Sequence, residues 1–206
     1  MQIEWMKKTT ARNTWEIYVD GKNWREVHTT LFRKPQPFDI HVKTRAELDI
    51  AFLEMEYTHA FRYALQCLNR KTYPTFELER CLKSKGVSST THSRVIQECT
   101  RLGFLDDKEW IRQFIMSHAA KRLGPAAIIQ KLRAKGVSET SARTWVQQCV
   151  GEDKEGQKKQ ILHHLQTRYR RHNLNDPLIM RKAISFLIRK GFSHSLIREA
   201  LQENAR

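Results

Sequence analysis

The chain has 206 residues, 40% of them hydrophobic, with only 8 Gly and 5 Pro; it can pack a core and holds no long low-complexity tract. Lys and Arg number 37 against 22 Asp and Glu, a net charge of +15, which favours a polyanionic partner, nucleic acid or an acidic protein surface. The sequence contains no run of 18 apolar residues and so no expected spanning helix, Met1-Gln2-Ile3-Glu4-Trp5 lacks a secretory pattern, and Cys67, Cys81, Cys99 and Cys149 form no CxxC pair, so a cytoplasmic protein with free thiols and no membrane association is expected.

Residues 1–43 read as an N-terminal extension. Trp15, Ile17 and Val19 alternate with Glu16 and Tyr18, then Asp20-Gly21 marks a two-residue turn before Trp24 and Val27, the pattern of a β-hairpin. Arg33-Lys34-Pro35-Gln36-Pro37 reads as a stiff linker. Thr44-Arg45-Ala46-Glu47 is a capping box that opens a helix.

From there the sequence repeats itself. Leu82-Lys83-Ser84-Lys85-Gly86-Val87-Ser88, Leu132-Arg133-Ala134-Lys135-Gly136-Val137-Ser138 and Leu187-Ile188-Arg189-Lys190-Gly191-Phe192-Ser193 are alike, with glycines 50 and 55 residues apart. Each copy reads as one instruction. Leu closes a helix face, basic residues meet the negative end of the helix dipole, Gly takes a left-handed stop, and Ser caps the next helix. Pro74, Pro125 and Pro177 mark the first turn of the helix before each glycine, Pro177 following the cap residue Asp176.

A further helix precedes each pair. Phe61, Ala64, Leu65 and Leu68 form one apolar stripe; Trp110, Ile111, Phe114, Ile115 and His118 a second; Ile161, Leu162, Leu165 and Tyr169 a third. After each serine, Val95, Ile96, Cys99 and Leu102, then Ala142, Trp145, Val146, Cys149 and Val150, then Leu196, Ile197, Ala200 and Leu201 repeat that periodicity. The expected fold is therefore all-α, with three three-helix repeats at 44–105, 106–151 and 152–206 behind the hairpin. Units this small gain stability by stacking.

Leu102-Gly103-Phe104-Leu105-Asp106-Asp107-Lys108-Glu109-Trp110, followed by Gly124-Pro125 and by Ile129 to Val137, resembles the most recognisable motif of the RecX family. Gly86, Gly103, Leu105, Asp106, Asp107, Gly124, Pro125, Gly136 and Gly191 carry the structural pattern. The resemblance runs over roughly residues 14 to 204 and includes the hairpin, which is similar to the β segment of longer members. It implies three tandem repeats in a curved array, a monomer, and a non-enzymatic regulator that binds filaments of the recombinase RecA and usually inhibits it, in recombination, DNA repair and the SOS response. It also implies contact with single- or double-stranded DNA. Where the family often carries two basic residues after Gly-Pro, this chain has Ala126 and Ala127, so a contact resting on those positions is expected to be weaker here or displaced to Lys121, Arg122, Lys131 and Arg133.

The candidate partner-binding residues are Lys121, Arg122, Lys131, Arg133, Lys135, Lys158, Lys159, Arg168, Arg170 and Arg171. Dipole complementarity alone accounts equally well for those beside the glycines. Tyr169 lies among the last five and fits both an apolar stripe and a nucleic-acid surface. Asp106 and Asp107 stand before an apolar-periodic helix and read as caps, not as a metal or acid–base pair. Cys99 and Cys149 hold equivalent repeat positions and read as core. No catalytic set, metal site or cofactor motif is expected. A stand-alone nucleic-acid binder is the alternative.

Overall fold

The computed structural model describes residues 2–10, 13–34, 44–174 and 176–204. Within the expected linker, residues 35–37 lie outside them. The chain divides into two compact units, Met1–Asp107 and Lys108–Arg206.

The first unit opens with β1 (Ile3–Lys7), β2 (Thr14–Val19) and β3 (Lys22–His28), an antiparallel sheet in the order β1-β2-β3. The expected hairpin is β2–β3, and Asp20 and Gly21 at its turn both take positive φ, as a tight two-residue turn requires. The third strand, β1, is an addition to the hairpin expectation; five residues alternating on a partly exposed edge leave a weak signal. Ile17, Val27, Leu31 and Phe32 leave the sheet side and join the core formed by α1 (Arg45–Leu68), α2 (Thr75–Ser84) and α3 (Ser89–Arg101). Phe32 stacks on Phe52 with ring centroids 6.1 Å apart.

Helix α1 starts at the expected capping box: Thr44 Oγ1 accepts from the Glu47 amide and Glu47 Oε2 accepts from the Thr44 amide. Its buried stripe differs from the expected one. Leu48, Phe52, Glu56, Ala60, Ala64 and Cys67 are buried, whereas Phe61, Leu65 and Leu68 are half-buried. The helix is 24 residues long, and a stripe read only from its end misses the phase set by the sheet-facing half. Glu56 stays buried because Ser88 donates to it from both its amide and its hydroxyl.

The second unit contains α4 (Asp107–Ala120, shared at its first residue with the first unit), α5 (Pro125–Ala134) and α6 (Glu139–Val146), which runs into a π-helical turn at Gln147–Gly151. Helices α7 (Lys154–Arg168), α8 (Pro177–Arg189) and α9 (His194–Asn204) follow. Ile115, Ile128, Leu132, Ala142 and Val146 form one core, and Ile161, Leu165, Ala183, Leu187, Phe192, Leu196, Ile197 and Ala200 form another. The described residues are thus mostly helical, nine α-helices with a small N-terminal sheet. No helix among them is long and apolar enough to cross a membrane.

The three repeated segments close their helices alike. Gly86, Gly136 and Gly191 have φ of 72°, 92° and 96°. Each glycine amide bonds the carbonyl three residues back, and the next amide reaches Leu82, Leu132 or Leu187, the paired bonds of a Schellman motif. Ser88, Ser138 and Ser193 then accept from the amides of Thr91, Ser141 and Leu196. Gly103 makes the same stop after α3. Arg122 makes it after α4, a non-glycine residue at φ 57°.

Candidate partner-binding surface

In the second unit the repeats meet backbone to backbone. The Gly124 amide donates to the Lys190 carbonyl at 2.8 Å, and the Ala126 amide donates to the Gly191 carbonyl at 3.1 Å. Pro125 opens α5 and Gly124, at its N-cap, offers no side-chain acceptor, so a carbonyl from the end of α8 meets an otherwise open helix amide. The approach is close: a Cβ on Gly191 would lie 2.3 Å from Ala127 N, and one on Gly124 would lie 2.4 Å from Gly191 C. This is the physical content of Gly124-Pro125 and Gly191. Ala126 and Ala127, which replace the expected basic pair, sit at this seam, Ala126 exposed and Ala127 half-buried.

Beside the seam, α5 and α8 border a groove of about 470 Å³. Ala127 and Ala134 line one wall with Gln130 and Lys131; Phe186, Arg189 and Lys190 line the other. Arg168, the last residue of α7, lays its guanidinium 4.7 Å from the Phe186 ring centroid, and the Lys190 ammonium lies 5.6 Å from it. An aromatic face flanked by cations, beside a groove with no acidic lining residue, suits an anionic partner with a planar or apolar group.

The other candidate residues are scattered. Lys121 and Arg122 follow the end of α4 and are exposed, and the Arg122 carbonyl accepts from His164 Nε2 at 2.8 Å. His164 also packs edge-on against Phe186 and Phe192. Arg133 is exposed and pairs with Glu139 at 3.2 Å, and Lys135 caps α5 half-buried. Arg143 and then Arg133 hold the Glu139 carboxyl below the usual range. Lys159 is exposed on α7, and Arg170 and Arg171 are exposed just beyond it; Arg170 rims a cleft of about 370 Å³ lined by Leu162, Leu165, Tyr169 and Leu174. Tyr169 is half-buried and belongs to the core edge.

Lys158 is different. Its ammonium pairs with Glu203 at 2.6 Å, Glu155 at 3.1 Å and Glu199 at 3.8 Å, and Glu203, then Glu155, hold it above its ordinary value. Its charge is satisfied inside the fold. Arg189 and Lys190, whose place before the repeat glycine fits dipole complementarity and a basic strip equally, share the groove with Lys131, as does Phe186, which stands outside the candidate residues. The legible signal was the basic pair directly before the third repeat glycine.

Of the paired aspartates, Asp107 acts at the end of another helix. Asp107 Oδ1 accepts from the Thr75 amide at 2.7 Å, at the start of α2, where the N-cap residue Pro74 makes no side-chain bond. Pro74 is therefore one position earlier than the first-turn place expected of it. Among the described residues no group of three metal-ligating side chains occurs. Burial pushes the Cys99 thiol up to about 11, which keeps it protonated at neutral pH.

Comparison with known proteins places these features in a family. Residues 106–144 match the model of the second three-helix domain of RecX, and residues 156–201 that of the third. The regulatory protein RecX of Legionella pneumophila (strain Corby) is 27% identical over 146 residues, 71% of this chain and 95% of that protein. The regulatory protein RecX of Bacillus subtilis (strain 168) is 26% identical over 98% of this chain and 75% of its own length. A crystal structure of a regulatory protein RecX aligns over 96% of this chain and 97% of its own with a TM-score of 0.63; that of RecX from Lactobacillus salivarius aligns over 72% and 96% with 0.62. Both are 20% identical, a likeness of fold.

Proposed function

We propose that this chain, which belongs to the RecX family of regulatory proteins, binds the filament of the RecA recombinase without catalysing a reaction and inhibits strand exchange. The observation that carries the reading is the α5–α8 groove, which Lys131, Arg189 and Lys190 line together with Phe186 beside the seam between two repeats. A filament presents the same surface again and again. A chain of covalently joined helical units then gains affinity from each further contact, because the second contact is intramolecular. Occupying the surface where DNA is exchanged, or where the next protomer adds, is sufficient to inhibit. The setting is the cytoplasm, in homologous recombination and repair. The earlier division at 44–105, 106–151 and 152–206 is proposed as the repeat boundary.

The test is strand exchange by RecA with and without this protein. The expected result is inhibition by the parent chain and weaker inhibition by the triple variant Lys131→Gln, Arg189→Gln, Lys190→Gln. Its melting temperature should stay near the parent's, since Lys131 and Arg189 are exposed, Lys190 is half-buried, and charges in such places contribute little to stability. Full inhibition by a folded triple variant would remove the groove from the contact.

A second reading, direct binding of nucleic acid, draws on the net charge of +15 and on the Arg168–Phe186–Lys190 stack. It predicts tight DNA binding without recombinase and a steep loss of affinity with salt.

A further inference from the structure

A second cationic site lies in the first unit, independent of the α5–α8 groove. The turn after β3 folds back on α1 and leaves a pocket of about 300 Å³. Arg33 and Lys34 approach from the turn, and His59, Arg62, Tyr63 and Gln66 approach from the helix. Three full positive charges line it and no carboxylate does. Among the described residues none of the three forms an ion pair, in contrast to Lys158 or Arg133.

The walls are fixed. Leu31 and Phe32 are 5% and 0% exposed, and their amides bond the His28 carbonyl. The Phe32 carbonyl accepts from Trp15 Nε1 at 3.0 Å, and its ring lies 4.7 Å from the His59 imidazole. The His59 ring bonds the Leu31 backbone, which joins the two walls; burial and then the Arg62 charge hold it below its ordinary value. The pocket is therefore formed before any ligand arrives, which lowers the ordering cost of binding.

We propose that this pocket binds the phosphate group of a small, mononucleotide-sized ligand. Guanidinium forks at Arg33 and Arg62 and the Lys34 ammonium match the charge and several oxygens of a phosphate. Tyr63 and Leu31 supply an apolar wall against which a planar base can lie. The volume sits at the low end of the roughly 300–1,000 Å³ of small-ligand pockets, which favours a free nucleotide over a strand.

The experiment is calorimetric titration of the full chain at low salt with adenosine 5′-monophosphate, with adenosine, and with an oligonucleotide lacking terminal phosphate. Saturable binding of the monophosphate and none of adenosine is expected. Arg62→Gln and Lys34→Gln should each weaken it roughly tenfold or more, the loss of one charge-assisted contact. Lys182→Gln, an equal change of charge on an exposed residue of α8, should leave it unchanged. Arg62 and Lys34 are both exposed, so the variants spare the core, and melting curves verify folding. No binding of the monophosphate overturns the proposal. So does binding that survives Arg62→Gln and Lys34→Gln, or falls equally with Lys182→Gln. Binding of the oligonucleotide alone, lost in Arg62→Gln, also overturns it and assigns the pocket to a strand.

Discussion

At the scale of single residues, repeated glycines with one backbone role differ in what surrounds them. Gly86 has open space where a Cβ would stand, so only its φ of 72° opposes a side chain. Gly191 has a φ of 96° and backbone atoms of Ala127 and Gly124 at 2.3 and 2.7 Å. Gly86→Ala should cost about 1–2 kcal/mol, the left-handed penalty. Gly191→Ala should cost clearly more, because α5 and α8 must also separate; urea unfolding of both variants measures the difference. His28 and His59 set a second expectation. Burial first, then Lys85 and Arg62 respectively, lowers both from 6.5. As pH falls through the unfolded value, the unfolded chain binds protons first, so stability is full above about 6.5 and declines below it. Urea midpoints at about pH 7.5 and about pH 5.5 should show the decline, and the double variant His28→Gln, His59→Gln should flatten it.

At the scale of elements, ends matter more than interiors. Helix α2 begins after Pro74, which has no side-chain acceptor, and takes its carboxylate from Asp107, 32 residues away. Helix α5 begins after Gly124 and takes a carbonyl from Gly191. A motif that reads as a local cap thus ties one helix start to a distant segment. Asp107→Ala should cost about 1 kcal/mol. It should speed hydrogen exchange of the Thr75 amide more than exchange in the middle of α4. Equal acceleration at both places would show that Asp107 serves its own helix instead. Within α7, Lys158 is enclosed by three glutamates and Lys159 is exposed. Lys159→Gln is therefore expected to weaken any contact made by this helix more than Lys158→Gln does, as binding assays with both variants will measure.

At the scale of the whole molecule, the excess of 15 positive charges acts as a field as well as through contacts. Protein and nucleic-acid partners respond differently to its removal. If Lys131, Arg189 and Lys190 meet phosphates, neutralising all three should flatten the dependence of log affinity on log salt by roughly 2–3. If they meet carboxylates on a filament, direct DNA binding should keep its slope while inhibition of strand exchange weakens. Salt titrations of DNA binding, run beside strand-exchange assays, separate the two.

What the sequence determined by itself is periodic and local. The hairpin turn at Asp20-Gly21, the box at Thr44–Glu47, and the Leu, Gly and Ser of each repeat are short-range instructions whose backbone bonds close within a few residues. Helix ends, repeat number and an all-α class with a small β segment follow from them, and the resemblance at Gly103 to Trp110 added the family. Only the tertiary structure decided where charges meet. Lys131 and Arg189 are separated by more than 50 residues and share a groove because Gly191 lets α8 touch the start of α5. Lys158 and Lys159 are neighbours in sequence, yet one faces carboxylates from α9 and the other faces solvent. Composition counts both as basic. A helix advances about 100° per residue, and only packing decides which of those directions is a partner and which is water.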